Sequence, residues 1–503
     1  LGAVLNLSTS CKKSESLPAE DNYSLIDSVF TSGTAEGATA TGADAGDLVE
    51  NATFSNTVSI DFGTSLTITN PLEGNGVSIT QNGGDVIINS TASGVAYALS
   101  GTTTDGAVKI YSANDYKISL NGVSITNNDG PALNLQSTKR AFIVLAGGVS
   151  NTLKDGASYA TSSEEQKAAL FAAGPVIFSG DGVLSATGLY QHAICSDQRI
   201  RIRSGNLYAN AVGDGMHSSG FIADGGYLKV GGSTNGVMVE GGAAIVNGGT
   251  LEIVVNSVGF ATTAAEGVDP YININGGSIS IKSSLGRGLQ SAGDLTVNKG
   301  SVDAYLTYTT WTSENYGVSA KKNIYINGGY VGCKGYNGLH SDGNLTITGG
   351  AVIAYSMSNS AAGIDCPSGV FKITGGNVLG AGMSARVPDV SVSTINTLVL
   401  GAIPVNTYMH VGRNNNGQEI MTFLPGESFS TVLYASSKVT SNTRCDLLIG
   451  GSTYGNVGSD TVVTTYGNIG GLYKSGLYIS EGTVADTTFM ITEKITQVGG
   501  IIK

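Results

Sequence analysis

Short runs in which apolar and polar residues alternate recur between residues 194 and 376. Tyr271-Ile272-Asn273-Ile274, Ile324-Tyr325-Ile326 and Leu345-Thr346-Ile347 are examples. A period of two is that of a strand with one buried face, and helical spacing is absent here. Two ladders punctuate these runs. In the first, a small residue precedes an aliphatic one: Ala193-Ile194, Gly215-Met216, Gly236-Val237, Gly267-Val268, Gly288-Leu289, Gly317-Val318, Gly338-Leu339 and Gly363-Ile364. In the second, a glycine turn closes each run: Ser204-Gly205, Gly225-Gly226, Gly248-Gly249, Gly276-Gly277, Lys299-Gly300, Gly328-Gly329, Gly349-Gly350 and Gly375-Gly376. A unit this short cannot bury an apolar face alone, so the units must stack.

The aliphatic ladder advances by 22, 21, 31, 21, 29, 21 and 25 residues. The shorter steps suit one coil of a parallel β-helix. From each aliphatic position to the next glycine turn the distance stays between 9 and 12 residues, so the extra residues fall in the other half of the coil. Stacking then gathers the insertions on one side of the solenoid, as on a binding face.

The flanks read differently. Residues 51–157 hold strand candidates such as Val86-Ile87-Ile88 and Ala141-Phe142-Ile143-Val144-Leu145, read as first, less regular coils. Ser162 to Phe171 carries the signature of a short capped helix between coils. The ladders stop after residue 387. The sequence therefore divides into a β-helix over 51–387 and a C-terminal β cap over 388–503, which covers the open strand edges. Residues 12–50, rich in Ser, Ala, Gly, Thr and Asp, predict a flexible tether. Residues 1–11 end in small residues and Cys11, like the remnant of a bacterial lipoprotein signal. Cys11 is then the lipidation site, and no other stretch predicts a membrane crossing.

Composition narrows the classes. The 73 glycines are periodic and read as turn positions with positive φ rather than disorder. The net charge of −12 and the absence of a basic stripe exclude nucleic acid as a partner. Arg199-Ile200-Arg201-Ile202-Arg203 alternates and predicts a solvated strand face. The 5 cysteines show no CxxC spacing, so no zinc site of that type is expected.

Candidate chemistry follows from the ladder. The residue after each aliphatic position should face outward, giving the column Cys195, His217, Met238, Asp269, Gln290, Ser319, His340 and Asp365. His340 and Asp365 are then neighbours. The residue before each glycine gives Asp214, Asn235 and Glu266 on consecutive coils, with Asp269 close by. Carboxylate and amide oxygens are hard donors, so Asp214, Asn235, Glu266 and Asp269 are the predicted calcium ligands. Arg287 lies one coil further, which keeps calcium-assisted lyase chemistry open. The insertion holding Tyr305, Tyr308, Trp311 and Tyr316 includes the chain's 1 Trp and is the predicted sugar-contact loop. No catalytic residue is assigned.

Leu120-Asn-Gly-Val-Ser-Ile-Thr-Asn-Asn-Asp-Gly-Pro-Ala132, Asn151-Thr-Leu-Lys-Asp-Gly156, Gly213-Asp-Gly-Met-His-Ser218, Asn337-Gly-Leu-His-Ser-Asp-Gly343 and the segment from Pro425 to Ser437 resemble a known family. It is the bacterial carbohydrate-binding β-helix family of cell-surface proteins with a polysaccharide-lyase-like fold. The resemblance spans about residues 55 to 450. It implies an all-β, right-handed parallel β-helix, calcium as cofactor, and adhesion to plant-type polysaccharide of the pectin or cellulose kind. The expectation is a monomeric, lipid-anchored surface protein of the bacterial outer membrane or cell exterior. The alternatives are a calcium-dependent polysaccharide lyase and a protein-binding adhesin on the same scaffold.

Overall fold

The computed structural model describes residues 32–307, 312–414, 418–453, 470–472 and 478–503. Most coils of the solenoid contribute three short strands, and in two of them the first and second run on as one, His192–Ile202 and Asp214–Ala223. One coil comprises a rung strand Leu339–Ser341, a second strand Leu345–Ile347 and a third strand Ala351–Ser356. Each pairs in parallel with its counterpart one coil on, as Leu339↔Ile364, Leu345↔Phe371 and Val352↔Val378. Alternation fixes the register, because a slip of one residue would turn every aliphatic side chain outward.

The interior column of the rung strands runs Val86, Val108, Leu133, Leu170, Ile194, Met216, Val237, Phe260, Leu289, Val318, Leu339 and Ile364. All are buried. Burying such a side chain stabilises by roughly 1.5–3 kcal/mol, so the stack is the main source of cohesion.

Phe260, not Val268, occupies the fourth aliphatic position of the predicted ladder. Val268 is 48% exposed in an excursion over 264–270. The glycines explain the confusion. Gly267 has φ +73° with open space around its Cβ position, so it is a surface turn. Gly259 sits where a Cβ would lie 2.2 Å from Ile281 Cγ2, so close packing requires it. The rung glycines thus answer to space, whereas the second ladder (Gly226, Gly249, Gly277 and so on) has the expected positive φ. With Phe260 in place, the insertions no longer share one half of the coil. The excursion at 264–270 follows a rung strand, whereas 312–317 and 357–363 precede one. They flank the outer face of the rung strands at both ends.

The predicted helix is absent. Ala168–Ala172 is a wholly buried rung strand, with Leu170 between Leu133 and Ile194. Tertiary stacking overrides the local capping pattern there.

The predicted tether is, over 32–50, an ordered strap. It runs back along the outside of the second strands. Gly33 N–H donates to Asn327 O at 2.6 Å, and Ala38 O accepts from Asn298 Nδ2 at 3.0 Å. Thr41 O accepts from Asn247 Nδ2 at 2.8 Å. These asparagines form a ladder of their own: Asn275 donates to Asn247, Asn298 to Asn275 and Asn327 to Asn298, at 2.8–2.9 Å. Beyond it Asp47, fully buried, accepts from Arg140 Nε at 2.9 Å, Arg199 Nε at 3.1 Å and Arg201 Nη1 at 3.2 Å. Glu50 pairs with Arg203 at 2.7 Å. The alternating arginines are therefore the strap's docking site rather than a solvated face.

Both ends of the solenoid are closed by antiparallel pairing. Asn56–Phe62 pairs with Leu66–Thr69, and Val77–Asn82 with Asp85–Ser90. At the other end Thr431–Ser436 takes the edge of Asn377–Gly382. The C-terminal residues also lay a second sheet, including Met409–Arg413, Glu419–Pro425 and Thr443–Thr453, over the outer face of the last third strands. That contact is a second apolar core containing Tyr305, Tyr330, Tyr355, Met409, Ile420 and Phe423. Among the described residues no helix is long and apolar enough to cross a membrane.

Candidate functional site

The outward column of the rung strands runs Cys195, His217, Met238, Ala261, Gln290, Ser319, His340 and Asp365. Ala261 stands where Asp269 was expected, for the reason that moved Val268 out of the ladder. Two polar constellations lie along this column, about five rungs or ~24 Å apart at the usual strand spacing.

The first is a cavity of about 250 Å³ lined by Arg287, Gln290, Glu314, Tyr316, Lys321, His340 and Asp342. The chain entering at 312–317 lays the Tyr316 ring flat on the His340 imidazole, with centroids 4.0 Å apart and planes within 2°. His340 Nε2 lies 2.9 Å from Asp342 Oδ1, and Asp342 Oδ2 lies 3.0 Å from Lys321 Nζ. Arg287 donates from Nη1 to Gln290 Oε1 at 3.0 Å and pairs through Nη2 with the Glu314 carboxylate. Burial works to raise the Asp342 carboxyl, but Lys321 and His340 outweigh it and hold it below its ordinary range. Burial first, then Asp342, Asp365 and Glu314, push the Tyr316 phenol up to about 12, so it stays a neutral donor. Asp365 is the column neighbour of His340, as expected, yet the two do not pair. Asp365 Oδ2 meets Lys503 Nζ at 3.0 Å. His340 Nδ1 and Asp365 Oδ1 are buried without a hydrogen bond.

Of the predicted sugar contacts, Tyr316 reaches this cavity. Tyr305 does not: it is 3% exposed in the core beneath the C-terminal sheet, because its strand faces that sheet. Tyr308 and Trp311 lie outside the described residues, as does Cys11.

The second constellation joins His192, Asp214 and His217, with one ligand atom of each within 4.8 Å of the others. Asp214 Oδ2 lies 2.8 Å from His217 Nδ1 and 3.4 Å from His192 Nδ1. The imidazoles stack with centroids 4.6 Å apart. Burial pulls His192 down to about 4, against the pull of Asp214. His217 is raised, mainly by its bond to Asp214.

This geometry corrects the predicted calcium ligands. Asn235 does adjoin Asp214, but its Nδ2 donates to Asp214 Oδ1 at 2.8 Å and its Oδ1 accepts from Val258 N–H at 3.1 Å. Its oxygen is thus already engaged. Glu266 is exposed in the 264–270 excursion, and Asp269 pairs there with Lys322 at 2.6 Å. The four do not converge, and the donors around Asp214 are imidazoles rather than the oxygens calcium takes. His217 stands in the outward column, whereas His192 precedes the small residue Ala193 of the ladder, so no single column holds both. Only the coil stacking brings both onto one carboxylate.

A family model described as carbohydrate-binding domain-containing protein matches residues 82–361. That span covers both constellations. No curated protein matches the chain in sequence. Among solved structures, a polysaccharide lyase-like protein from C. thermocellum, determined as a gadolinium derivative, is 19% identical; the match covers 58% of this chain and 96% of that one, with a TM-score of 0.39. So distant a likeness carries no argument here.

Proposed function

The chain belongs to the family of carbohydrate-binding domain-containing proteins, and from that premise we propose that it holds plant-type polysaccharide, of the pectin or cellulose kind, against the outer face of its rung strands. The observation that carries this reading is the Tyr316–His340 stack lining the Arg287 cavity, inside the matched span. An aromatic face covers sugar C–H surfaces, and the surrounding donors and acceptors meet hydroxyls. The cations lining the cavity are already paired, Arg287 with Glu314 and Lys321 with Asp342. The site therefore offers polarity without net positive charge, which suits a neutral glucan.

Calcium belongs to the proposal as a bridge. A chain of net charge −12 repels a polyuronate, and a divalent ion between them offsets that repulsion. We further propose that a lipid on Cys11 anchors the protein at the bacterial surface. Retention on insoluble cellulose and on de-esterified pectin, with and without a chelator, tests the reading. Tyr316→Ala should lower retention at least tenfold while leaving the melting temperature in place. Retention equal to the wild type would move the binding face elsewhere.

A further inference from the structure

We propose that His192, His217 and Asp214 form a binding site for a first-row divalent transition ion, distinct in place and chemistry from the cavity beneath Tyr316. The donor set is two imidazole nitrogens and one carboxylate oxygen, which suits zinc and its neighbours rather than calcium. Zinc bonds of about 2.0–2.1 Å in a tetrahedron set donors about 3.3 Å apart. The observed separations from Asp214 Oδ2, 2.8 Å to His217 Nδ1 and 3.4 Å to His192 Nδ1, bracket that value. His192 Nδ1 accepts from the Asp214 backbone N–H at 3.2 Å, a bond that metal binding has to displace.

The surroundings are arranged as an outer shell. Asn235 Nδ2 holds Asp214 Oδ1 at 2.8 Å, leaving Oδ2 turned toward the imidazoles. Glu240 Oε2 lies 3.4 Å from His217 Nε2, the far nitrogen of that ring. A carboxylate on one nitrogen orients the other toward a metal and makes it more basic. Three protein donors leave a fourth position for water or a ligand. The positions come from adjacent coils, His192 beside Asp214 and His217 two residues beyond the rung glycine, so the stacking holds them without any loop ordering.

The chain has 4 histidines, and the other two, His340 and His410, are buried far along the fold, which keeps a titration interpretable. The described cysteines are all buried and free. The experiment is calorimetric titration of the full chain, in a Cys11→Ser background, with zinc chloride and separately with calcium chloride. Cobalt absorption reports ligand type. The expected result is one zinc per chain, weakened at least tenfold by Asp214→Asn and by His217→Ala. Glu240→Gln alters an exposed side chain and leaves the fold intact; it should weaken zinc by about 10-fold or more. Cobalt bands should be those of nitrogen and oxygen donors. No zinc binding, affinity unchanged in all three variants, tighter calcium than zinc, or a cobalt–thiolate band would each overturn the assignment. None of these readouts involves glycan, so they stand apart from the polysaccharide reading.

Discussion

Replacing Asp47 by Ala removes the carboxylate on which three arginines converge. Asp47 is fully buried, and the Arg201 side chain is only 7% exposed. Breaking a buried ion pair by deleting one partner costs about 3–5 kcal/mol, because the remaining charge loses its compensation. Here the cost falls near the lower bound. Arg201 keeps Asp224 at 2.6 Å and Gly42 O at 2.8 Å, and Arg140 and Arg199 keep Asp44 at 2.8 and 2.7 Å. About 3 kcal/mol corresponds to roughly a hundredfold rise in the open population of the strap. The solenoid coils beneath have their own core, so the loss should appear as local opening rather than global unfolding. Hydrogen exchange of the amides between residues 33 and 51 measures it directly, and limited proteolysis over the same residues checks it. Protection unchanged from the wild type would refute the reasoning that Asp47 pins the strap.

Phe260→Ala should destabilise by about 3–5 kcal/mol in chemical denaturation, as a large side chain leaves a packed column, whereas Val268→Ala should stay within about 0.5 kcal/mol. The reverse order would restore Val268 to the ladder. His410, buried in the C-terminal sheet beside Thr422, is pulled by burial from 6.5 down to about 4. Unfolded His410 takes up its proton as pH falls through 6.5, while the native residue waits until about 4. Its contribution is therefore complete above about 6.5 and lost on acidification, about 1.4 kcal/mol per pH unit and about 3 kcal/mol across the window. Denaturation of wild type and His410→Asn at pH 7.5 and 5.0 should show the variant losing less. Equal losses would remove His410 from the acid response.

The local alternation and the two glycine ladders determined that the chain stacks strands into a solenoid. Both are properties of short segments: period two fixes which face is buried, and glycine marks turns and close approaches. Met216, Val237 and Leu289 were legible for that reason. So was the adjacency of His340 and Asp365. The position of Phe260 was not, because Gly259-Phe260 and Gly267-Val268 share one local pattern and only the packing against Ile281 distinguishes them. The same holds for Ala168–Ala172, whose capping signals favour a helix until Leu133 and Ile194 claim Leu170 from both sides. Contacts made across long sequence separations lay wholly outside local pattern. The strap meets side chains 93 to 336 residues away, from Arg140 at one end to Lys372 at the other. The C-terminal sheet covers Tyr305 and takes it from the sugar-facing set. The imidazoles of His192 and His217 meet on Asp214 because neighbouring coils superimpose positions that the linear chain holds 22 residues apart. Sequence thus set the repeating unit, while the stacking of unlike units decided which polar side chains share a site.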